Sequence, residues 1–200
     1  DFIIKDLDEA SRSVVASRKD AMLRKRQIFY FSDNEEEQPM IYPGRIVEAR
    51  VIAVAPKAVR LEVFGVECSV RARDMAWEWM PDATEKFQVG DLVLVCVNKV
   101  EAPDVENVTV MADAKGATEN TNKDNLKKCH RQGKYSGIIT DVYKGTYFIR
   151  LDLGVNAIAH ECNMTTLPGK WDRIGFVVTR INETSEVAEG IITRMIKRHE

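Results

Sequence analysis

The sequence predicts a mainly β protein built from two small domains, and three observations indicate this. Apolar and polar residues alternate along several short segments, which is typical of strands that bury one face. Two polar segments, 32–39 and 115–128, each precede a block of about seventy residues that contains such strands. Similar stretches recur in the same order in both blocks, which indicates a duplicated domain. Short strands at close spacing favour small barrels or sandwiches.

Composition narrows the class of protein without identifying a partner. The 200 residues carry 29 basic and 31 acidic side chains, so the net charge of −2 does not by itself indicate nucleic acid. A basic face can still exist locally, and residues 131–200 carry a charge of +2. No apolar run approaches the roughly 18 residues that span a bilayer. The 4 cysteines form no CxxC pair, which indicates reduced thiols. We expect a cytoplasmic protein without membrane contact.

The first predicted element in chain order is a helix from Ser17 to about Tyr30. Ser17 can cap its first turn, because a serine hydroxyl accepts a hydrogen bond from a free backbone N–H there. A narrow apolar patch lies among basic residues and consists of Ala21, Met22 and Leu23. We interpret this helix as a linker that leads into the first block.

Each block begins with a predicted strand that contains or follows a glycine. In the first block, strand 45–53 would carry Val47, Ala49, Val51 and Ala53 on one face. Further strands of the two blocks are predicted at 92–97, 108–111, 137–142, 146–151, 176–181 and 190–195. The repeat aligns 44–51 with 135–142, 64–70 with 153–159, and 87–93 with 171–177. The chain therefore divides into 1–30, an acidic connector at 31–41, a domain at 42–113, a polar linker at 114–130, and a domain at 131–198.

Three stretches resemble a known family. Residues 90–95 (Gly-Asp-Leu-Val-Leu-Val) resemble the fourth-strand signature of the S1 RNA-binding domain, and 154–160 (Gly-Val-Asn-Ala-Ile-Ala-His) resemble its third-strand signature. Residues 2–8 with 14–19 resemble the end of a preceding S1 repeat. The resemblance implies two five-stranded OB-fold barrels of the S1 type, joined by a polar linker and preceded by a linker helix. We expect the chain to be an interior or C-terminal piece of a multi-repeat protein like ribosomal protein S1.

The resemblance also implies a function and a site. We expect non-catalytic binding of single-stranded RNA with low sequence selectivity, such as mRNA binding in translation. OB-type barrels stack bases on aromatic side chains and contact phosphates with basic ones. In the second block the candidates are Tyr143, Lys144, Tyr147, Arg150 and His160. Tyr143 and Tyr147 flank Gly145, so a turn could bring both rings to one surface. We expect Tyr147→Ala or His160→Ala to weaken RNA binding while leaving the fold intact.

Each candidate also has an ordinary structural interpretation. A strand tyrosine often packs on the core, a histidine can make a structural hydrogen bond, and lysine and arginine are commonly solvated. The first block departs from the pattern, because Pro56, Ala58 and Val59 occupy the aromatic region and Arg71 replaces the histidine. It retains weaker candidates for phosphate contact, namely Lys57, Arg60, Arg71 and Arg73. We expect the residues that follow its third strand to plug the barrel end rather than contact a ligand; these are Trp77, Trp79 and Met80.

Two other functional classes remain open. The barrels could be spacers and protein-docking modules of a ribosome-associated factor, with RNA bound elsewhere. They could also be a targeting module of a larger RNA-processing enzyme. The sequence contains no Gly-x-Ser-x-Gly, P-loop or His-Glu-x-x-His motif, so we expect no enzymatic activity. The cysteines and histidines lack zinc-finger spacing, and we expect no metal and no cofactor. We expect a monomer whose partners are single-stranded RNA and, as a further candidate, small ribosomal subunit proteins.

Overall fold

The computed structural model of the protein describes residues 1–9, 11–32, 38–162 and 164–199, so residues 33–37 of the predicted acidic connector lie outside the described residues. The chain forms two compact units, one made of 1–75 with 82–118 and the other of 76–81 with 119–200. Within the described ranges, no helix has the length and apolar character needed to cross a bilayer. The fold is mainly β, as predicted.

The elements have the following bounds. The strands are β1 (Ile3–Asp8), β2 (Ser13–Ser17), β3 (Ile46–Ala55), β4 (Ala58–Val63), β5 (Val66–Arg71), β6 (Leu92–Glu101), β7 (Thr109–Asp113), β8 (Lys134–Tyr143), β9 (Thr146–Leu151), β10 (Asn156–Cys162), β11 (Arg173–Asn182) and β12 (Val187–Lys197). The helices are α1 (Arg18–Arg26), α2 (Ala72–Met75) and α3 (Thr121–Leu126). A π-helical turn spans Gln27–Phe31, and 3-10 turns span Ala83–Glu85 and Lys115–Ala117.

The first unit contains a five-stranded antiparallel sheet in the order β5-β4-β3-β6-β7. Strand β3 alternates as predicted, with Val47, Ala49 and Val51 buried. The prediction is wrong for Ala53, which is exposed. The pairing of β3 with β4 shifts between Val51 and Ala53, and the extra residue of such a bulge turns the following side chains to the opposite face.

The predicted linker helix is confirmed as α1. The Ser17 hydroxyl accepts a hydrogen bond from the Asp20 backbone N–H at 3.2 Å, which satisfies one free donor of the first turn. After Arg26 the chain continues as the π-helical turn, where the buried Tyr30 hydroxyl donates to the Val63 carbonyl at 2.6 Å. The Phe29 ring lies 4.1 Å from the Phe64 ring, centroid to centroid. These contacts attach the helix to the β4–β5 hairpin.

Glu62 of β4 is a buried carboxylate held by α1. Its two oxygens accept hydrogen bonds from Lys25 Nζ at 3.0 Å and Arg18 Nη2 at 3.1 Å. Burial alone would raise the pKa of Glu62, but the Lys25 hydrogen bond and the charges of Lys25 and Arg18 outweigh it and lower that pKa. The charged carboxylate is therefore the form that stabilises this unit.

We expect Glu62→Gln to lower the free energy of unfolding by about 1–2 kcal/mol at neutral pH, since hydrogen bonds to a charged group are lost. Because the folded pKa is depressed, Glu62 stabilises the fold above its unfolded pKa, and the effect disappears as the pH falls through the folded pKa. Urea unfolding of the wild-type and Glu62→Gln proteins, at neutral pH and below pH ~4, measures this pH dependence. The control is Glu67→Gln, an exposed carboxylate 4.0 Å from Arg60. A Glu62 effect that does not depend on pH would contradict the assignment.

The β1–β2 hairpin pairs Ile3 with Ser17 and is exposed along most of its length. Its exposed apolar side chains are Phe2, Ile4, Leu7, Val14 and Val15. A two-stranded ribbon with both faces in water is only marginally stable alone. The interpretation of this hairpin as the end of a preceding repeat stays a prediction.

The second unit is a closed barrel in the order β10-β12-β11-β8-β9, in which β10 and β12 pair in parallel. Its first three strands form a meander and its fourth strand pairs with its first, the same connections that β3 to β6 make in the first unit. The first unit is a barrel-like sheet and the second a closed barrel, both consistent with the OB fold, and their common strand order agrees with the predicted internal repeat. The interior is filled by alternate residues of each strand, including Tyr147, Ile149 and Leu151 of β9.

Part of the predicted polar linker belongs to the second unit. The Asn120 side chain caps α3 by accepting from the Lys123 backbone N–H at 3.2 Å. The buried Asn122 amide donates to the Glu186 carbonyl at 2.8 Å and accepts from the Asn156 backbone N–H at 2.8 Å. Leu126 is buried in the barrel core. The prediction of a linker at 114–130 therefore differs from the structure from residue 119 onwards, where the chain belongs to the second unit.

Candidate nucleic-acid interface

The candidate interface is the solvent side of β9 and β10 together with the end of β8. Inward residues such as Tyr147 and Ala159 alternate with outward ones, and cross-strand pairing places Phe148 opposite Ile158 and Arg150 opposite Asn156. We call this surface the outer face; it consists of Tyr143, Thr146, Phe148, Arg150, Asn156, Ile158 and His160. In OB folds this face of the second and third strands is where oligonucleotides bind.

One end of the outer face is open to solvent. The Tyr143 ring is 59% exposed, and Lys144 Nζ lies 5.2 Å from its centroid. His160 is also exposed, and its Nδ1 lies 3.1 Å from the Thr146 hydroxyl. Lys144 and Gly145 both have positive φ, as in the two-residue turns that match the twist of a hairpin. The structure thus brings two predicted ring residues and a predicted cation to one open surface.

The opposite end of the outer face is covered by residues 76–81. The Asn156 side chain is 4% exposed, donates from Nδ2 to the Trp77 carbonyl at 3.0 Å, and accepts from Arg150 Nη1 at 2.9 Å. The Trp79 and Phe148 rings form a T-shaped contact with 5.1 Å between centroids and 79° between planes. Burial lowers the pKa of Arg150, and the nearby charge of Glu78 partly offsets that effect. The Trp79 ring therefore packs on this face of the second unit, contrary to the expectation that it plugs the end of the first barrel.

Tyr147 is not on the outer face. Its side chain is 6% exposed and belongs to the barrel core with Ile149, and burial raises the pKa of its hydroxyl. The turn pairs Tyr143 with Thr146 and Val142 with Tyr147, so the two tyrosines occupy different pairs and different faces. The expectation that both rings share one surface is therefore corrected. The reason is that successive side chains along a strand point to opposite faces of the sheet.

Sequence reasoning missed Phe148. This half-buried aromatic residue lies on the outer face between the open end and the covered end. The sequence contained a signal for the position of Phe148. Thr146, Phe148 and Arg150 alternate with an apolar set of residues that begins at Tyr147. Applying that alternation would have placed Phe148, and not Tyr147, on the outer face.

The corresponding face of the first unit has a different chemistry. Its outward positions on β4 and β5 are Ala58, Arg60, Glu62, Glu67, Ser69 and Arg71, with no aromatic ring among them. Arg60 lies 4.0 Å from Glu67, and Arg71 donates to Asp74 at 2.7 Å, with Arg73 4.0 Å from the same carboxyl group. Lys57 is exposed in the β3–β4 turn. Of the four weaker candidates, three therefore lie beside carboxylates that compete with a phosphate.

Comparison with protein families identifies part of the chain. Residues 42–104 match the model of the S1 RNA binding domain. The matched range corresponds to β3 to β6 and the start of the following loop, and it includes residues 90–95, whose resemblance to the S1 domain it confirms. The match supports nucleic-acid binding by this protein. In the matched range, the outward positions of β4 and β5 carry no aromatic residue, whereas the corresponding strands of the second barrel carry Phe148.

Solved structures with some similarity include the a/eIF2alpha–aDim2p–rRNA complex from Pyrococcus horikoshii OT3 (16% identity, 44% of this chain and 56% of that chain, TM-score 0.35). A multidomain protein with nucleic acid binding domains from Streptococcus pneumoniae shares 12% identity over 96% of this chain and 68% of that one, with a TM-score of 0.29. Drosophila Unr CSD456 shares 15% identity over 76% and 60%, with a TM-score of 0.24. These similarities are too low to carry a functional argument. Comparison with curated protein sequences gave no match.

Proposed function

We propose that the protein binds single-stranded RNA without catalysis and with little sequence selectivity, on the outer face of the second barrel. The observation that carries the proposal is the open cluster of Tyr143, Lys144 and His160 on the face that OB folds use for oligonucleotides. The family match of the S1 domain to an RNA-binding model supports the same class of ligand.

The side chains at the open end can bind any base and do not select a particular RNA sequence. A stacked base contributes about 1–3 kcal/mol on an aromatic side chain, and every base offers a π-face. Tyr143 offers a solvent-facing ring, and Lys144 adds a positive charge within reach of a phosphate. His160 offers an exposed ring whose orientation is set by Thr146. Such a surface binds a strand weakly and tolerantly, with an affinity that decreases as salt increases.

The finer parts of the proposal concern the biological setting. The resemblance to ribosomal protein S1 supports mRNA as the RNA, translation as the process and the cytoplasm as the location. Small ribosomal subunit proteins would then be further partners. Co-sedimentation of the chain with small ribosomal subunits, with and without nuclease treatment, tests this setting separately from RNA binding.

We expect Tyr143→Ala and His160→Ala each to weaken RNA binding by about 1–3 kcal/mol, roughly 5- to 150-fold. The measurement is fluorescence anisotropy of a labelled oligouridylate of about twelve nucleotides with the whole chain, at two salt concentrations. Tyr42→Ala is the matched control, because Tyr42 is a 38% exposed aromatic residue of the first unit. Equal losses in Tyr42→Ala and Tyr143→Ala would contradict the placement of the site. Absence of binding near 100 μM, about −5.5 kcal/mol, would reject RNA binding by this chain.

One observation favours the alternative of a protein-docking module. The solvent side of β3 and β6 in the first unit exposes Ile46, Leu92 and Leu94, each more than half accessible. Exposed apolar residues grouped on one sheet face are a feature of protein-binding surfaces. If RNA binding is rejected, Leu92→Asp combined with Leu94→Asp should abolish the co-sedimentation described above.

A further inference from the structure

The covered end of the outer face is organised as a small recognition site. The Asn156 amide is buried at 4% exposure, with its carbonyl oxygen engaged by Arg150 Nη1 and its N–H group directed to the Trp77 carbonyl. Phe148 presents a ring beside it, and Arg150 presents a positive charge with reduced access to water. A ring, an amide donor and a cation thus lie next to one another on two adjacent strands.

The residues that cover this site carry the groups that a nucleotide carries. Trp79 places an aromatic ring at 79° to Phe148, where a base could stack on the Phe148 ring instead. Trp77 offers a carbonyl oxygen to the Asn156 amide, as the carbonyl of a pyrimidine or guanine would. Glu78 places a negative charge near Arg150, as a phosphate would. Three consecutive residues therefore provide partners for the Phe148 ring, the Asn156 donor and the Arg150 cation.

We propose that Trp77–Glu78–Trp79 occupies a subsite for one nucleotide of single-stranded RNA, and that bound RNA displaces it. The inference rests on the proposed function and adds a second part to the site. RNA would bind first at the open end, through Tyr143 and His160, and continue over Phe148 as the segment leaves.

The contacts of the segment allow its displacement. The contacts of the segment with the outer face include a hydrogen bond from Asn156 and an edge-to-face ring contact with Phe148, and both have direct replacements in a nucleotide. Asn156 remains oriented after the segment leaves, because Arg150 and the Asn122 side chain bond to it independently. The subsite is thus preorganised, and the exchange replaces one set of contacts by an equivalent set.

We expect Trp79→Ala to tighten RNA binding about three- to tenfold, which corresponds to a segment that covers the subsite about two-thirds to nine-tenths of the time. Glu78→Gln should tighten it less, since only the charge is removed. The control is Trp171→Phe, an aromatic residue of the same unit that lies outside the outer face and is 43% exposed. The probe is the labelled oligouridylate, bound to the whole chain. Unchanged or weaker binding of Trp79→Ala would overturn the inference.

A second measurement does not require the Trp79 variant to fold normally. Of the 3 tryptophans, Trp77 and Trp171 are replaced by phenylalanine so that Trp79 alone fluoresces. Saturating oligouridylate should increase the quenching of Trp79 by acrylamide, because the ring leaves Phe148 for water. Decreased quenching would mean that the base stacks on Trp79, and the inference would be wrong.

The two proposals fail in different ways. If wild type binds RNA, Tyr143→Ala weakens binding and Trp79→Ala does not tighten it, the proposed function stands and the displaced subsite is rejected. If neither wild type nor Trp79→Ala binds RNA, both proposals are rejected. Binding by wild type below 100 μM together with tighter binding by Trp79→Ala supports both.

Discussion

Gly190→Ala is expected to unfold the second barrel. A Cβ atom at this position would lie 2.1 Å from the Val177 carbonyl oxygen and 2.6 Å from Cζ of Phe176. The first of these atoms is backbone in the adjacent strand, and the second belongs to a ring that is only 1% exposed in the core. Neither can move without separating β11 from β12. We expect a cost above about 3 kcal/mol, at the upper end of overpacking effects.

Urea unfolding followed by circular dichroism measures this effect, and RNA anisotropy should show the loss of binding that follows from it. Gly169→Ala is the control, because the nearest atom to its added Cβ would be Asp172 Oδ2 at 3.9 Å, an ordinary contact. That variant should stay within about 0.5 kcal/mol of wild type. An unchanged urea midpoint for Gly190→Ala would show that β11 and β12 do not pack as described.

The architecture could be predicted from the sequence because the strands of both units alternate between inward and outward side chains. The repeated order of glycine, strand and turn predicted the two units, and Ser17 predicted the start of α1. Individual faces were harder to predict, because a bulge reverses the pattern locally. Ala53 follows the bulge in β3 and is exposed, although the residues before it alternate as expected.

The covered end of the outer face depends on contacts that local patterns do not contain. The Asn156 amide meets a carbonyl 79 positions earlier in the chain, and its backbone N–H meets Asn122 34 positions earlier. Periodicity describes neighbours along one element, so it gives no information about such pairs. The polar composition around Asn122 instead suggested an unattached linker. A buried asparagine with all its groups bonded is visible only in three dimensions.

Tyr147→Ala is expected to destabilise the second barrel by about 3–5 kcal/mol, as large aromatic truncations in a core do. The ring packs among Ile149, Ala159 and other core residues, and its exposure is only 6%. The sequence alone predicted the opposite outcome, namely a loss of RNA binding with the fold intact. Urea unfolding and RNA anisotropy on the same protein samples distinguish the two predictions.

Tyr147→Phe makes the comparison decisive, because it retains the ring and removes only the hydroxyl group. We expect its RNA affinity to stay within about twofold of wild type, less than half a kcal/mol. A Tyr147→Ala protein that unfolds at the wild-type urea concentration but no longer binds RNA would place this ring at the ligand and contradict the inward orientation of β9. If Tyr147→Ala is unstable while Tyr143→Ala is stable and binds poorly, stability and binding reside on opposite faces of one hairpin. That separation follows from the pairing of Val142 with Tyr147 and of Tyr143 with Thr146 across a two-residue turn.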